Sequence, residues 1–531
     1  MSAGRRLRGT ALLIAGVAVL MSPAWAQDAL AEPVTASASA ASAAAAAMPA
    51  STSGVGVAAF SPAAPSSAPV FPVRPTEAER LAANPLPLVG GQGDAQVERG
   101  RYLTTLGDCV ACHSVAGGQP MAGGYAFNTP FGTIYASNIT PSVKSGIGGY
   151  TLAQFSRALR AGVRADGQPL YPAMPYTAYA QVSDEDTAAL YAYFMKGVAP
   201  VDAPAPASEL AFPFNLRLLM AAWNLLFLDA KPYVPDAAES AEWNRGAYLA
   251  RGLAHCTTCH TPRNLLMAED PRRYLGGAEL WPWFAPNISS DANSGIGQWS
   301  EADLVAYLRD GDAPGKGQAA GPMAEAVDHS FRYLRDADLK AIAVYLKSVP
   351  ALHDAADQRP ADAWGAPSNA LASLRGAALP ADQGQMSGPQ LYDAWCASCH
   401  QASATGTPGG GLPSLIHNTA LGRAQPNNLV MVILTGLARP HGEGMPAFGH
   451  ELSDAQVATL SNYLTRQWGN PAAQVTPQQV AQARAGVRPS SGVSLLTLAR
   501  VGLAVGALLL LALLVWLLRR GRRRRSTGFD A

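Results

Sequence analysis

The motif C-x-x-C-H occurs three times in this chain: Cys109-Val110-Ala111-Cys112-His113, Cys256-Thr257-Thr258-Cys259-His260 and Cys396-Ala397-Ser398-Cys399-His400. These motifs use all six cysteines of the 531 residues. Six thiols are too few to staple a chain of this length as a disulfide scaffold. The fold must therefore be organised around what each motif binds.

Two thiols followed at once by an imidazole suit three chemistries. A zinc site needs further Cys or His ligands near each pair. A thiol redox site sits after a strand in a βαβ unit. Covalent haem c attachment uses both thiols and makes the adjacent histidine the proximal iron ligand. One such motif can arise by chance; three, with no spare cysteine and an export signal, point to haem. The reading is three covalently bound haem c groups, on Cys109 and Cys112, Cys256 and Cys259, and Cys396 and Cys399. His113, His260 and His400 are the expected iron ligands.

The export signal is the N-terminus. Arg5, Arg6 and Arg8 precede an apolar stretch from Ala11 to Met21 and the small-x-small site Ala24-Trp25-Ala26. That apolar run is too short to span a bilayer, so residues 1–26 read as a cleaved signal peptide. Residues 27–92 are rich in Ala, Ser and Pro and read as a flexible tether with no chemistry. At the other end, Val501 to Leu518 carries no charge, and six arginines follow, Arg519, Arg520 and Arg522 to Arg525. Eighteen residues at ~1.5 Å each nearly match the hydrocarbon thickness. A transmembrane helix is expected at 493–518. The basic tail, 519–531, is then cytoplasmic by the positive-inside rule, and the rest is periplasmic.

The first two motifs lie in an internal repeat. Gly100-Arg101-Tyr102-Leu103 precedes the first and Gly246-Ala247-Tyr248-Leu249 the second. Ser137-Asn138-Ile139 through Ser145-Gly146-Ile147-Gly148 recurs as Pro286-Asn287-Ile288 through Ser294-Gly295-Ile296-Gly297. Helices are expected at Leu152 to Leu159 and Ala302 to Leu308, then at Asp184 to Met195 and Asp336 to Leu346. Ser183 and Asp336 resemble their N-caps. The third module is shorter, with Ser453 and Asp454 opening a final helix through Leu464. The expected fold class is mainly α: three tandem cytochrome c-like haem domains at 93–201, 239–350 and 387–469, plus one C-terminal transmembrane helix. Linkers fall at 202–238, 351–386 and 470–492.

An electron carrier needs both axial positions of the iron filled. Methionine is the usual partner of histidine in c-type sites. It should lie in the loop before the last helix. Met174 (before Pro175), Met323 (after Pro322) and Met445 (before Pro446) fit, 65, 67 and 49 residues after the first cysteine of their motifs. Met121, Met195, Met267 and Met431 read as core or surface. Bis-histidine ligation through His329 or His441 is a weaker alternative. Arg157, Arg160 and Arg164 are candidates for haem propionates, or equally a solvated helix face. The stretch Leu210 to Leu228 is strongly apolar. Packing between modules is the first expectation, and a surface against the membrane or another subunit is the second.

With these motifs in place, the chain resembles the three-haem cytochrome c subunits of membrane-bound periplasmic dehydrogenases, those of alcohol, gluconate, sorbitol and fructose. The resemblance spans about Asp94 to Trp468. It rests on the three motifs and their spacing. It rests also on Tyr135-Ala136-Ser137-Asn138-Ile139-Thr140-Pro141 with Gly146-Ile147-Gly148, and on Tyr171-Pro172-Ala173-Met174-Pro175-Tyr176. Phe212-Pro213-Phe214-Asn215 with Trp223-Asn224 looks like that family's linker. The cytochrome subunits of molybdenum hydroxylases look similar.

The resemblance implies electron transfer from a catalytic dehydrogenase subunit, PQQ-, flavin- or molybdenum-dependent, to ubiquinone in the inner membrane. The alternative is a free-standing anchored cytochrome shuttling electrons between respiratory complexes or to a terminal oxidase. No catalytic residues are expected in this chain. It lacks a Gly-rich dinucleotide loop, a nucleophile–base set and the strands of a propeller. No nucleic-acid partner is expected, because the formal charge is only +1. That near-neutrality hides a division. Without the basic signal peptide and residues 500–531, −8 remains for the exported body.

Overall fold

The computed structural model describes residues 74–369, 371–376, 378–407, 412–438, 444–486 and 495–526. The expected signal peptide, most of the tether and His441 lie outside the described residues. The described part of the tether is packed structure, not a free linker. Helix α1 (Glu77–Ala82) is closed by a Thr76–Glu79 capping box. Its Arg80 is buried, donates to Arg332 O (2.8 Å) and Leu334 O (2.9 Å), and pairs with Asp336. Three acceptors for one guanidinium outweigh a composition that reads as linker.

The first module begins with α2 (Ala95–Leu106), capped by Asp94, and the motif helix α3 (Cys109–His113). The hairpin β1 (Ala126–Thr129) and β2 (Gly132–Tyr135) follows, then α4 (Leu152–Ala161), α5 (Tyr176–Tyr179) and α6 (Asp184–Lys196). Ser183 caps α6 as expected, accepting from Asp186 N. A short β3 (Glu209–Leu210) pairs antiparallel with β2, and α7 (Leu218–Phe227) comes next.

The second module repeats this order. It has α8 (Ala241–Arg251), the motif helix α9 (Cys256–His260), the hairpin β4 (Ala278–Leu280) and β5 (Trp283–Ala285), α10 (Glu301–Asp310), α11 (Pro322–His329) and α12 (Asp336–Ser348). Asp336 is the first residue of α12 and not its cap. The cap position is Arg335, which makes no side-chain capping bond. The third module has α13 (Gly388–Trp395), the motif helix α14 (Ala397–His400), α15 (Thr419–Gly422), α16 (Asn427–Thr435), α17 (Asp454–Trp468) and α18 (Pro477–Arg484). Residues 470–492, expected as linker, thus include a packed helix: Val480 and Ala483 of α18 are buried in the third core. The last element is α19 (Leu495–Ser526). Its segment Arg500–Arg519 has mean hydropathy 2.8 and is unburied, long and apolar enough to cross a membrane.

In each module the first long helix crosses the last at a glycine. A Cβ on Gly100 would stand 1.9 Å from Ala189 O, one on Gly246 1.9 Å from Ala341 O, and one on Gly388 2.4 Å from Tyr463 Cβ. Only hydrogen fits there, so the helix axes approach closely and fix where the motif helix emerges.

The first two modules share one apolar core, from Leu86 to Val349, whereas the third builds its own around Tyr392, Tyr463 and Trp468. The shared core carries two reciprocal polar clamps. Arg99 donates to Asp186 (2.7 Å), which also accepts from Tyr248 of the other module (2.6 Å). Arg245 donates to Asp338 (2.7 Å), which also accepts from Tyr102 of the other module (2.6 Å). Both carboxylates are buried, at 2% and 6% exposure. Burial pulls the Asp338 carboxyl upward, but Arg245 and Tyr102 outweigh it and hold it below its ordinary value.

The stretch Leu210 to Leu228 touches both modules, but its helix is not buried between them. No residue of α7 is buried, and Leu218, Leu225 and Leu226 are 79%, 87% and 67% exposed. Polar anchors hold the helix from one side. Trp223 Nε1 donates to Leu266 O, and Tyr176 OH donates to Asn224 Oδ1.

Candidate haem-binding sites

Each motif histidine is oriented by a hydrogen bond to a backbone carbonyl. Nδ1 of His113 donates to Ser137 O (2.7 Å), that of His260 to Pro286 O (2.7 Å) and that of His400 to Pro413 O (2.8 Å). A carbonyl only accepts, so Nδ1 carries the proton in each ring, and in His113 and His260 Nε2 keeps its lone pair for a metal. Burial lowers the pKa of His113 and takes that of His260 down to about 4, which keeps both rings neutral.

The acceptors explain the sequence repeat. Ser137 and Pro286 directly precede Asn138 and Asn287, whose amides lock the loop. Asn138 donates to Val201 O and Ala203 O, and Asn287 to Leu352 O. Pro413 does the same work in the third module, with Ser414 in the asparagine's place, bonding Ala404 O and the N–H of Ile416. Sequence reasoning missed this carbonyl. Its only signal was a Gly/Pro-rich loop after the motif.

The thiols are enclosed. Burial pushes Cys109, Cys112, Cys256 and Cys396 up to about 12. Zinc would need thiolates and further ligands. Among the described residues, no cluster of three or more His, Cys, Asp or Glu side chains suits a metal ion. The motifs also sit on helices that follow helices, not after strands of a βαβ unit.

The second and third sites open into one cavity of about 590 Å³. Cys256, Cys259, His260 and Met323 line it from one module, and Cys396, Cys399, His400 and Met445 from the other. The rest of the wall is largely apolar, including Trp283, Trp299, Leu429 and Phe448. Paired thiols, carbonyl-anchored imidazoles and thioethers around an apolar space fit a covalently held haem. Met445 is pinned by a two-way backbone bridge with Leu437, both bonds 2.9 Å. Met323 lies not in a loop, as expected, but in the first turn of α11, which Pro322 starts.

At the first site, Cys109 and Met174 pack against the same shared core, Met174 in the turn leading into α5. This site adjoins the second. Helix α3 contacts α11, and Tyr179 meets His255 edge-on with ring centroids 5.8 Å apart. Asp108 and His255, the residues before the first cysteines, both take left-handed backbone (φ 48° and 36°) and turn the motif helix away from the preceding one.

Other candidates fall elsewhere. His329 does not line the shared cavity. Arg160 pairs with Asp184 and Arg164 with Asp166, so neither is held in reserve for a propionate. Met121 and Met431 are buried in the cores.

Two family models match the chain: "Cytochrome c" over residues 244–350 and "Cytochrome C oxidase, cbb3-type, subunit III" over residues 383–464. Among curated proteins, the fructose dehydrogenase cytochrome subunit of Gluconobacter japonicus is 45% identical over 455 residues, 81% of this chain and 92% of that protein. The gluconate 2-dehydrogenase cytochrome c subunit of Pantoea cypripedii is 42% identical over 74% of this chain and 90% of its own length. The cytochrome c subunit of the quinone alcohol dehydrogenase of Gluconobacter oxydans (strain 621H) is 37% identical over 71% and 80%. Together with motif helices that carry buried thiols and oriented imidazoles, these relatives show that the chain belongs to the family of cytochrome c subunits of fructose, gluconate and alcohol dehydrogenases.

Proposed function

We propose that this chain carries three haems c in three tandem cytochrome c domains, and that it passes electrons from a catalytic dehydrogenase subunit to ubiquinone. The observation that carries the reading is the shared cavity, lined by the attachment residues of two motifs, with the first motif adjoining the second. Haem iron, when bound, supplies one-electron exchange. The chain's own residues do the rest. The cysteines would hold the group, the imidazoles of His113, His260 and His400 would each bind the iron, and the thioethers of Met174, Met323 and Met445 would bind it as well. An iron so held would leave no place for a substrate, which suits transfer rather than catalysis.

The partner oxidises the substrate on its own PQQ, flavin or molybdenum cofactor. Helix α19 anchors the chain in the inner membrane, the basic tail from Arg519 on the cytoplasmic side and the haem domains in the periplasm. The exposed leucines of α7 give the body an apolar face toward the bilayer from which quinone enters. The test is purification from solubilised membranes followed by quinone reduction. We expect the chain to co-purify with a substrate-oxidising subunit and the complex to reduce a ubiquinone analogue. A haem protein that purifies alone, and is reduced by no such subunit, overturns the reading.

A further inference from the structure

Among the described residues, Arg423 is the one arginine or lysine on the wall of the shared cavity. It follows α15 in the third module, yet its Nη1 reaches across to Ser294 O in the Ser-Gly-Ile-Gly loop of the second, at 3.4 Å. That is long for an N–H···O bond. Among the described residues no carboxylate forms an ion pair with it. Asp357 and Asp362 act on it only from a distance, and Asp362 is taken by Lys316.

Arg80, Arg245 and Arg309, by contrast, are each paired with a carboxylate, Asp336, Asp338 and Asp310. Burial lowers the Arg423 pKa, and Asp357, Tyr307 and Asp362 only partly offset that. An enclosed guanidinium without a counter-charge is costly. Its five donors form a planar fork that matches a carboxylate. Its neighbours, Ser294 and Tyr307, belong to the second module, and its charge also acts on the His260 ring. A haem brings two propionate carboxylates into such a space.

We propose that Arg423 binds a propionate of the haem attached at Cys256 and Cys259, so that a residue of the third module completes the second module's site and raises that haem's potential. A paired propionate stabilises ferric iron less than a free one does, so the ferrous state gains. Arg423 is thus a positioning and potential-setting residue, not a ligand of the iron. The inference rests on haem attachment at the second motif.

The test is spectroelectrochemical titration of the full chain in its complex, comparing wild type, R423Q and R423K. Pyridine haemochrome and haem-peptide masses are read alongside. For R423Q we expect unchanged haem content. We also expect one haem whose reduced-to-oxidised ratio at fixed potential falls about tenfold, ~59 mV for one electron. R423K, which keeps the charge, restores most of the fall. The M323H variant, which alters the low-spin EPR signal of the second haem, identifies which haem has moved. Unchanged potentials in a fully loaded R423Q, or a fall confined to another haem, overturn the assignment. A wild type without haem on the Cys256–His260 peptide overturns the attachment reading itself, a separate result.

Discussion

The second module meets its two neighbours in different ways. Against the first it shares a continuous apolar core, closed by two reciprocal Arg–Asp–Tyr clamps. Against the third it shares a cavity. Among the described residues, the polar bonds between residues 239–350 and 387–469 involve no carboxylate: Asn428 with the backbone of Phe284 in both directions at 2.9 Å, Thr419 N with Lys316 O at 2.8 Å, and longer bonds from Asn418 to Gln318, Asn427 to Pro282 O and Arg423 to Ser294 O. The first junction is held by protein alone. The second is built around the group it encloses. Stability of one junction should thus follow side-chain burial, and stability of the other should follow haem loading.

The largest break of that comparison is C396S/C399S. Haem content should fall by one per chain. The segment 351–386, which feeds the third core through Leu371 and Met386, should become sensitive to limited proteolysis. The junction of the first two modules should be unaffected. Equal proteolysis of both junctions would contradict the contrast.

D338A and D186A attack the other junction. D338A removes a buried carboxylate and leaves Arg245 and Tyr102 without their acceptor, at a cost of about 3 kcal/mol in denaturant unfolding. D186A should cost less, because Arg99 is 47% exposed and keeps Glu185 as a partner at 3.4 Å. Y102F and Y248F should cost less, about 1.5 kcal/mol each. The pH dependence follows from Asp338. Its folded pKa is depressed, so its contribution is full above the unfolded value of ~3.9 and is lost as pH falls through the lower folded value. D338N should abolish that acid-side loss, visible as a flatter stability curve below about pH 4.

The smallest structural effect belongs to α7. L225S with L226S should change unfolding by no more than about 0.5 kcal/mol, because both side chains are exposed. Electron delivery to quinone in vesicles should nonetheless slow. An unfolding cost of several kcal/mol would return α7 to the core.

Local features of this fold were legible in the sequence. The helices of the repeat fell where apolar spacing put them, and Ser183 and Ser453 cap as their types dictate, whereas Asp336 opens its helix without capping it. The Ser/Pro-Asn-Ile repeat announced a shared loop but not its task, since only the fold brings the preceding carbonyl to the histidine. Features set by distant packing were hidden. Arg80 is buried by residues 332–336, far along the chain, and so a segment that reads as tether is ordered. Met323 is helical because Pro322 starts a turn that no cap announced. The apolar α7 is exposed because its few polar groups, not its leucines, hold it in place. Arg423 gave no sign at all, because its meaning depends on a cavity formed by two modules.

The most direct test of the account is the haem count of the full-length chain, measured together by pyridine haemochrome and by intact mass. The account predicts three covalent haems per chain, falling to two when any one C-x-x-C-H pair is changed to serine. Two or fewer haems in the wild type, or an unchanged count in any of the three variants, would contradict it.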